Sequence, residues 1–317
     1  MTPLARLAHI EWSGILVAIL AGALALAVLS PAFLSEFNLF VLLRSFCVAL
    51  LVAYAQMVTL GVGQLNLAVG ALGGLVAIVV GGIMDALGLP VFVAVGAGIL
   101  VGGLAGFLNG WLTVRTGING FIVTLATASA FAGINLGITR SVPFYNLPPE
   151  FVAFGAGRIG ILPLLLIVPI LVTIALALFF SRTVPGRHIL AVGGNANAAQ
   201  LSGVSLPRTI ISAHTLSGLL AAAAAVLAVA QLGSAQPTIG SNWLIISFAA
   251  PIIGGASLSG GHISIIGTLL AVVLIALIEN GMVLVNVDPY WVQFLLGALI
   301  LAAVGINRLR AVRTGGD

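Results

Sequence analysis

The sequence predicts an all-α integral membrane protein built from about ten transmembrane helices. Of its 317 residues, 61% are hydrophobic and only 6% are charged, and the mean hydropathy is +1.27. Soluble domains carry about 25% charged residues, so water is not the main solvent of this chain. The apolar runs are about 20 residues long, which is the length that crosses a hydrocarbon core of roughly 30 Å.

Charges, prolines and glycine-polar breaks divide the chain into ten predicted spans within a single transmembrane domain, 1–317. The predicted spans are 12–30, 39–60, 65–84, 90–114, 119–139, 161–181, 209–231, 243–260, 263–285 and 290–307. Two of them, 65–84 and 243–260, are rich in glycine, and we expect either to be broken or re-entrant. We expect the first span to be retained, because no small-residue cleavage site follows the first apolar run.

The arginines predict the orientation of these spans. With ten spans both termini share one side, and placing that side in the cytoplasm puts eight of the 11 arginines inside, as the positive-inside rule requires. These are Arg6, Arg115, Arg182, Arg187, Arg208, Arg308, Arg310 and Arg313. The segment 182–208 then becomes a cytoplasmic loop, and 140–160 becomes the one sizeable external loop.

Several classes of function are excluded by what the sequence lacks. The arginines are spread singly, so the pI of about 10.2 does not indicate a nucleic-acid surface. The single cysteine, Cys47, cannot build a disulfide framework or a metal cluster. Without any lysine there is no P-loop, so any ATP must be hydrolysed by another chain. Catalytic and zinc-binding motifs are also absent, so we predict no catalytic residue, no metal site and no enzyme.

Glycine spacing predicts close helix packing. Gly102, Gly106 and Gly110 form a tandem ridge of small residues in the fourth span, and Gly70 and Gly74 do the same in the third. In lipid, helices associate through such close backbone approach. We interpret both ridges as contacts within the subunit, with a dimer seam as the alternative.

A short internal similarity predicts an inverted repeat. Asn109-Gly110 is followed by the segment 118–121, and Asn280-Gly281 is followed at nearly the same spacing by 288–291. If spans two to five correspond to spans seven to ten, the offset is five helices, so the two halves have opposite orientations. Inverted repeats are typical of transporters, with the substrate path between the halves.

Polar residues at membrane depth are the candidates for lining that path. Polar groups in hydrocarbon are costly unless partnered, so each is either a structural hydrogen-bonding group between helices or part of a pathway. The segment 61–70 is typical of a broken helix beside a cavity. The candidates are Gln64, Asn66, Asn109, Asn119, Asn135, Glu279 and Asn280. Most are neutral amides, which suit a polyhydroxylated solute.

The segment 181–205 is not an arbitrary linker. Asn195 is predicted to cap a short helix that runs through Leu201 and is ended by Gly203. That helix would carry small residues and one apolar side chain, Leu201. A short, shallow helix of this kind is typical of a docking element for a partner; a surface turn that holds the two halves together is the alternative.

At this segment the sequence resembles the permease subunits of ribose-type sugar ABC importers. Residues 186–203 match the family pattern G-x-x-x-x-A-V-G-G-N-x-x-A-A-x-L-S-G nearly residue for residue. The run 63–70 is similar to the family's G-x-I-D-L-S-V-G, except that Asn66 and Ala68 replace its Asp and Ser. The pattern L-P-P-x-F occurs at 147–151, followed by Gly155 and Gly157.

The resemblance implies the partners and the energy source. It implies a permease dimer, expected to be of identical chains, that forms one pathway in the lipid of the bacterial inner membrane. Two ATPase subunits would dock beneath it and a periplasmic substrate-binding protein above it, near 147–151. This chain would bind no cofactor, while the ATPase would use ATP and Mg. The implied coupling residues are Gly193, Gly194, Asn195, Ala198, Ala199, Leu201, Ser202 and Gly203.

The function so predicted is import of a sugar or polyol by alternating access. A branched-chain amino acid permease of the same superfamily is one alternative, but would share the 186–203 pattern less closely. An ion-coupled secondary carrier is a second, and should need no ATPase partner. A structural membrane scaffold, the third, would need neither polar residues at depth nor a shaped cytoplasmic loop.

Overall fold

The computed structural model describes residues 13–288 and five isolated positions between 291 and 301. This part of the chain is nearly all helical. The helices are α1 Ser13–Leu29, α2 Glu36–Gly61, α3 Val69–Asp85, α4 Val91–Thr116, α5 Gly120–Thr139, α6 Pro149–Ala156, α7 Ile167–Arg182, α8 Val184–Gly194, α9 Ala196–Leu201, α10 Leu206–Leu232, α11 Trp243–Ile253 and α12 Ile265–Leu284. The strands, β1 Arg158–Ile159 and β2 Leu162–Pro163, form one small hairpin before a 3-10 turn, Leu164–Leu166.

Six helices are long and apolar enough to cross a membrane, as the sequence predicted for an all-α membrane protein. They are Glu36–Gly61, Val91–Thr116, Gly120–Thr139, Leu164–Arg182, Leu206–Leu232 and Ile265–Leu284. The shorter apolar helices α1, α3 and α11 match three more of the predicted spans. The tenth predicted span, 290–307, lies outside the described residues except for isolated positions.

The two glycine-rich spans are helical over only part of their predicted length. The helix expected over 65–84 begins only at Val69, because Gly63 has a left-handed φ of +75° and Asn66 bonds the backbone locally. The helix expected over 243–260 ends at Ile253, and Gly255, with φ +95°, turns the chain. Irregular backbone is tolerated at membrane depth where other protein elements cover it.

Helices α2 and α10 form the centre of the bundle. Every residue of α2 from 50 to 61 is buried, and α10 contributes a run of buried alanines between 221 and 230. Ser35 begins α2 by accepting a hydrogen bond from the backbone N–H of Asn38 at 3.3 Å. Around these two helices pack α3, α4, α11 and α12. Side chains toward lipid are large and apolar, so the burial pattern is that of a membrane protein.

The glycine ridge of α4 packs against α10 within the subunit, as we interpreted it. A Cβ added at Gly102 would lie 2.7 Å from the carbonyl oxygen of Gly218, and one at Gly110 would lie 2.7 Å from the Cα of Ile211. Only glycine permits this backbone approach.

The ridge of α3 also packs internally, but its partner is not a helix. Gly70 and Gly74 face the segment 234–242, which consists mainly of turns; a Cβ at Gly74 would lie 2.7 Å from the Ile239 carbonyl oxygen. This segment connects α10 to α11 and is irregular at the depth of α3.

The bundle has two ends. Helix α10, whose 27 residues span about 40 Å, links the end that carries 182–208 to the end that carries 140–160. At the 140–160 end, the Asp85 carboxylate accepts hydrogen bonds from the backbone N–H groups of Tyr145 and Asn146 at 3.1 and 3.3 Å. Phe144 and Ala235 pair their backbones as an isolated bridge. The 182–208 segment is mostly helical, since α8 precedes the predicted short helix.

Candidate functional site

The break between α2 and α3, residues 62–68, is held by Asn66 and Gln56. The Asn66 Nδ2 donates to Ser217 Oγ at 2.9 Å, and its Oδ1 accepts from the backbone N–H of Ala68 at 2.9 Å. With the Gln56 amide oriented so that its nitrogen faces the Asn66 carbonyl, Gln56 donates to Asn66 O at 2.8 Å and accepts from Asn66 N at 3.2 Å. Both side chains are fully buried, so Asn66 locks the break to α2 and α10.

Gln64 ties the same break to α5. Its Oε1 accepts a hydrogen bond from the backbone N–H of Gly120 at 3.1 Å, in the first turn of α5. One turn further along, Thr124 Oγ1 accepts from the backbone N–H of Leu67 at 3.0 Å. The first N–H groups of a helix have no partner inside the helix, so Gln64 supplies a missing acceptor. The break therefore contacts three of the helices that surround it.

Asn109 and His214 lie buried in the crossing of α4 and α10. Both are fully buried, and within the described part of the chain neither side chain has a hydrogen-bond partner. A Cβ at Gly120 would lie 3.4 Å from His214 Nε2, so this nitrogen faces the start of α5 near Gln64. Buried polar atoms without a hydrogen-bond partner are rare, and they are usually explained by an ordered water, local strain or a functional role.

Asn135 lines a separate cavity of about 330 Å³. Its Nδ2 donates to the carbonyl oxygen of Pro237 at 2.9 Å, while its Oδ1 is buried without a partner in the described structure. The cavity lies between α3, α5 and the segment 234–242, and Gly240 and Ser241 contribute to its wall. Asn135 thus fixes the segment 234–242 against α5.

Asn119 has a different position from the other candidates. It is exposed and caps α5, since its Oδ1 accepts from the backbone N–H of Phe121 at 2.9 Å.

Glu279 and Asn280 lie together on α12. Asn280 pairs its amide reciprocally with Asn38 of α2, with N–O distances of 2.7 and 3.0 Å. Glu279 is half-buried and lines cavities between α12 and α2. Sequence reasoning found these residues, but missed Gln56, His214 and Ser217. A signal existed for the last two, because polar side chains three residues apart interrupt the apolar surface of α10.

The predicted short helix of the 182–208 segment is present as α9. The Asn195 Oδ1 accepts from the backbone N–H of Ala198 at 2.9 Å, and Gly203, with φ +84°, ends the turn. Ala199 packs inward, and Leu201 is 90% exposed. Ser202 Oγ donates to the Ala198 carbonyl at 2.9 Å. The geometry confirms the predicted cap and leaves the apolar side chain of Leu201 uncovered.

Three glycine-containing segments contact each other next to the start of α9. They are Gly61–Gly63, Gly193–Gly194 and Gly260–Gly261, and we call this contact the glycine junction. The backbone N–H of Gly261 donates to Gly61 O at 3.1 Å. A Cβ at Gly193 would collide with Gly61 O and with Gly261 N. Gly260, with φ +93°, lies so close that a Cβ there would be 2.7 Å from Gly63 Cα and 2.9 Å from Gly193 Cα. The end of α8 is therefore in backbone contact with Gly61, the last residue of α2, and reaches the break at 62–68 through Gly260.

The charged groups at the 140–160 end surround Phe40. The guanidinium carbons of Arg44 and Arg158 lie 5.4 and 5.6 Å from the centre of the Phe40 ring. Arg44 Nη2 also donates to the carbonyl oxygen of Gln231 at 2.5 Å. No group of three or more His, Cys, Asp or Glu side chains that could hold a metal occurs within the described residues.

Comparison with known proteins places the chain among transport proteins. A family described as branched-chain amino acid transport system, permease component, matches residues 37–304. The chain is 33% identical over 287 residues to the ribose import permease protein RbsC of Bacillus subtilis, covering 90% of this chain and 89% of the relative. It is 34% identical over 282 residues to the D-allose transport system permease protein AlsC of Escherichia coli, covering 89% and 86%.

A third relative, the fructose import permease protein FrcC of Rhizobium meliloti, is 33% identical over 289 residues, covering 89% of this chain and 80% of the relative. No solved structure matches the chain. The resemblance inferred from the 186–203 pattern is thus confirmed. Permease components of this kind work with ATPase and binding-protein partners and are not enzymes themselves. The chain therefore belongs to the branched-chain amino acid transport system, permease component, family, as a multi-pass permease of a bacterial inner-membrane ABC importer.

Proposed function

We propose that this permease imports a sugar or polyol, delivered by a periplasmic binding protein, by alternating access. The relatives at 33 to 34% identity are named for ribose, allose and fructose, which favours a sugar over a branched-chain amino acid. The neutral amides at depth agree with a polyhydroxylated solute.

The glycine junction is the observation that carries the coupling part of the proposal. Residues Gly193 to Gly203 form the coupling segment, with α9 and Leu201 facing the ATPase. In the glycine junction, Gly193 contacts Gly61, the last residue of α2, and Gly260 lies against both Gly63 and Gly193. A displacement of α9 is thereby passed through backbone contacts to the start of the break at 62–68, next to Gln64. ATP and Mg act on the partner ATPase, and this chain binds no cofactor.

The proposal extends to the architecture of the whole permease. We infer ten spans with both termini cytoplasmic, 140–160 toward the binding protein, and an inverted repeat of spans two to five and seven to ten. A common order of elements supports the repeat: α2, the break 62–68 and α3 in one half, and α10, the segment 233–242 and α11 in the other. Two identical permease copies would enclose the pathway.

The candidate pathway residues receive different roles within this proposal. Gln64 and Asn66 hold the break that moves, and Asn109 lies buried behind it. Asn135 and Glu279 line cavities open to a solute. Asn119 and Asn280 hold helix positions beside these cavities.

The proposal is tested with the permease reconstituted in lipid together with its ATPase and binding protein. We expect ATP hydrolysis to rise several-fold when the binding protein is loaded with sugar, and uptake to require ATP. Uptake that persists without the ATPase and collapses with an ionophore would instead identify an ion-coupled carrier.

A further inference from the structure

Two cavities of ligand size meet at Glu279. The first, about 480 Å³, lies between α2 and α12, where Asn38, Ser45 and Asn280 contribute polar groups to its wall. The second, about 310 Å³, is enclosed by α2, α10, α11 and α12. Glu279 and Ser45 line both, so these two side chains separate one cavity from the other. Pockets for small molecules usually have volumes of about 300 to 1,000 Å³.

The second cavity has a mixed polar and apolar wall. Gln231, Asn242 and Ser45 border it together with Trp243 and small apolar residues of α2. Amides and hydroxyls both donate and accept hydrogen bonds. Such a wall is suited to a ligand that carries several hydroxyl groups on an apolar ring.

Glu279 is the unusual member of this wall. None of the described residues gives its carboxylate a hydrogen bond or an ion pair, although the residue is half-buried in the bundle. Ionisable groups at membrane depth are rare and mark substrate or ion pathways. An unpaired carboxylate that faces a cavity has acceptor capacity for up to four donors.

A positive charge close by argues for a neutral ligand. The Arg44 guanidinium, one residue before Ser45 on α2, donates to the carbonyl oxygen of Gln231, which itself borders the second cavity. The surroundings therefore offer one carboxylate and one guanidinium. With one charge of each sign in these surroundings, neither a cationic nor an anionic ligand is favoured on balance, and a neutral ligand fits.

We propose that Glu279 and Ser45 form a solute subsite that binds a neutral polyhydroxylated solute of monosaccharide size, with the Glu279 carboxylate accepting hydrogen bonds from adjacent ring hydroxyls. The subsite rests on the proposed sugar import and gives it a residue-level binding position. Asn242 and Gln231 supply further polar groups on the side of the second cavity.

Accessibility of an introduced thiol tests the subsite without the ATPase. Ser45→Cys is made in a Cys47→Ala background, and its rate of modification by a small methanethiosulfonate reagent is measured in proteoliposomes. D-ribose, D-allose and D-fructose are tested as protecting ligands. We expect at least one sugar to slow modification about tenfold, and Glu279→Gln to remove that protection because a hydrogen bond to a charged group is lost.

Two further variants control this measurement. Glu36→Gln removes an exposed carboxylate in the first turn of α2, outside both cavities, and should leave protection unchanged. Glu279→Asp keeps a carboxylate and should retain part of the protection by sugar. Equal protection with and without Glu279→Gln, protection that requires sodium, or no protection by any of the three sugars would overturn the subsite.

Uptake by the complete importer separates the subsite from the proposed function. If wild-type permease transports sugar with its ATPase, Glu279→Gln should raise the sugar concentration needed for uptake or lower uptake per ATP about tenfold, while ATPase binding stays normal. Normal uptake by Glu279→Gln would overturn only the subsite. Failure of the wild type to associate with any ATPase would overturn the importer assignment while leaving the thiol measurement valid.

Discussion

At the scale of single residues, polar groups in the break between α2 and α3 form hydrogen bonds with side chains of three neighbouring helices. Asn66 uses both ends of its amide, donating to Ser217 and accepting from the backbone of Ala68. The Asp that the ribose-type pattern has at this position could not donate as Nδ2 does. Ser217 would have to donate to it instead, and a charge would be buried. The departure at Asn66 thus replaces a buried carboxylate by a neutral, fully paired amide.

We predict that Asn66→Ala lowers the free energy of unfolding by about 1 to 3 kcal/mol, because the Ser217 hydroxyl and the backbone N–H of Ala68 lose their hydrogen bonds to the Asn66 side chain. The measurement is unfolding of purified protein by SDS in mixed micelles. Asn242→Ala is the control, since this exposed side chain makes no capping bond, and we expect a change within about 0.5 kcal/mol. Equal effects of the two substitutions would contradict the locking role of Asn66.

The sequence identifies the candidate residues as a group but does not assign a role to each of them. An amide in an apolar run is visible without a structure, so Asn66, Asn109 and Asn135 were all predicted to matter. The cap formed by Asn119 is local, but which amide is paired between helices and which lines a cavity depends on residues more than 50 positions away, such as Gly120 for Gln64. Pattern and composition carry no information on such long-range pairs.

At the scale of secondary-structure elements, glycine decides where elements approach each other. The helices α4 and α10 cross through Gly102, Gly106 and Gly110, and α8 meets the end of α2 through Gly193. The first contact followed from spacing, because three glycines four residues apart form a ridge. The second did not, because the Gly-Gly pairs at 193 and 260 are separated by all of α9, α10 and α11.

We predict that Gly193→Ala weakens coupling between ATP hydrolysis and uptake by about tenfold or more. A Cβ there collides with the backbone at Gly61 and Gly261, so α8 must move away from the break. Coupling is measured as sugar taken up per ATP hydrolysed in proteoliposomes.

Gly194→Ala is the matched control for this substitution. A Cβ at Gly194 would meet only the Cα of Gly261, at 3.9 Å, which is an ordinary contact. Alanine is also the better helix former, by about 1 kcal/mol. We expect normal coupling in this variant; a loss equal to that of Gly193→Ala would show that the glycine junction has no special role.

At the scale of the whole molecule, the 182–208 end presents one exposed apolar side chain on a short, well-capped helix. Leu201 is 90% exposed, whereas Ala199 beside it is buried and holds α9 to the bundle. An exposed leucine alone is unremarkable on a membrane protein. Its position on α9, joined through α8 to the glycine junction, is the reason we propose it as a contact for the partner ATPase.

We predict that Leu201→Arg uncouples transport by preventing the ATPase from docking, because a charge would be placed in an apolar contact. Insertion in the membrane should be normal, since the side chain lies outside the packed helices. Pull-down of the ATPase and ATP-driven uptake are the measurements, with Leu201→Met as the control that keeps an apolar side chain. Normal uptake by Leu201→Arg would contradict docking at this position.

The class of protein, the approximate position of nearly every described span and the cap of α9 could all be predicted from the sequence. Each of these depends on residues close together in the chain: apolar runs of membrane length, or an Asn three residues before the N–H that it accepts from. The 186–203 pattern likewise indicates the permease family without any tertiary information.

Only the tertiary structure decided where the glycine-rich spans are irregular and which polar groups meet. Helix α3 begins late because the irregular residues before it form hydrogen bonds with Gln56, Ser217 and Gly120. These partners come from three other helices. The two cavities at Glu279 likewise exist only because α2, α10, α11 and α12 pack as they do. Hydrogen bonds and cavities between distant segments depend on packing, which local sequence patterns do not specify.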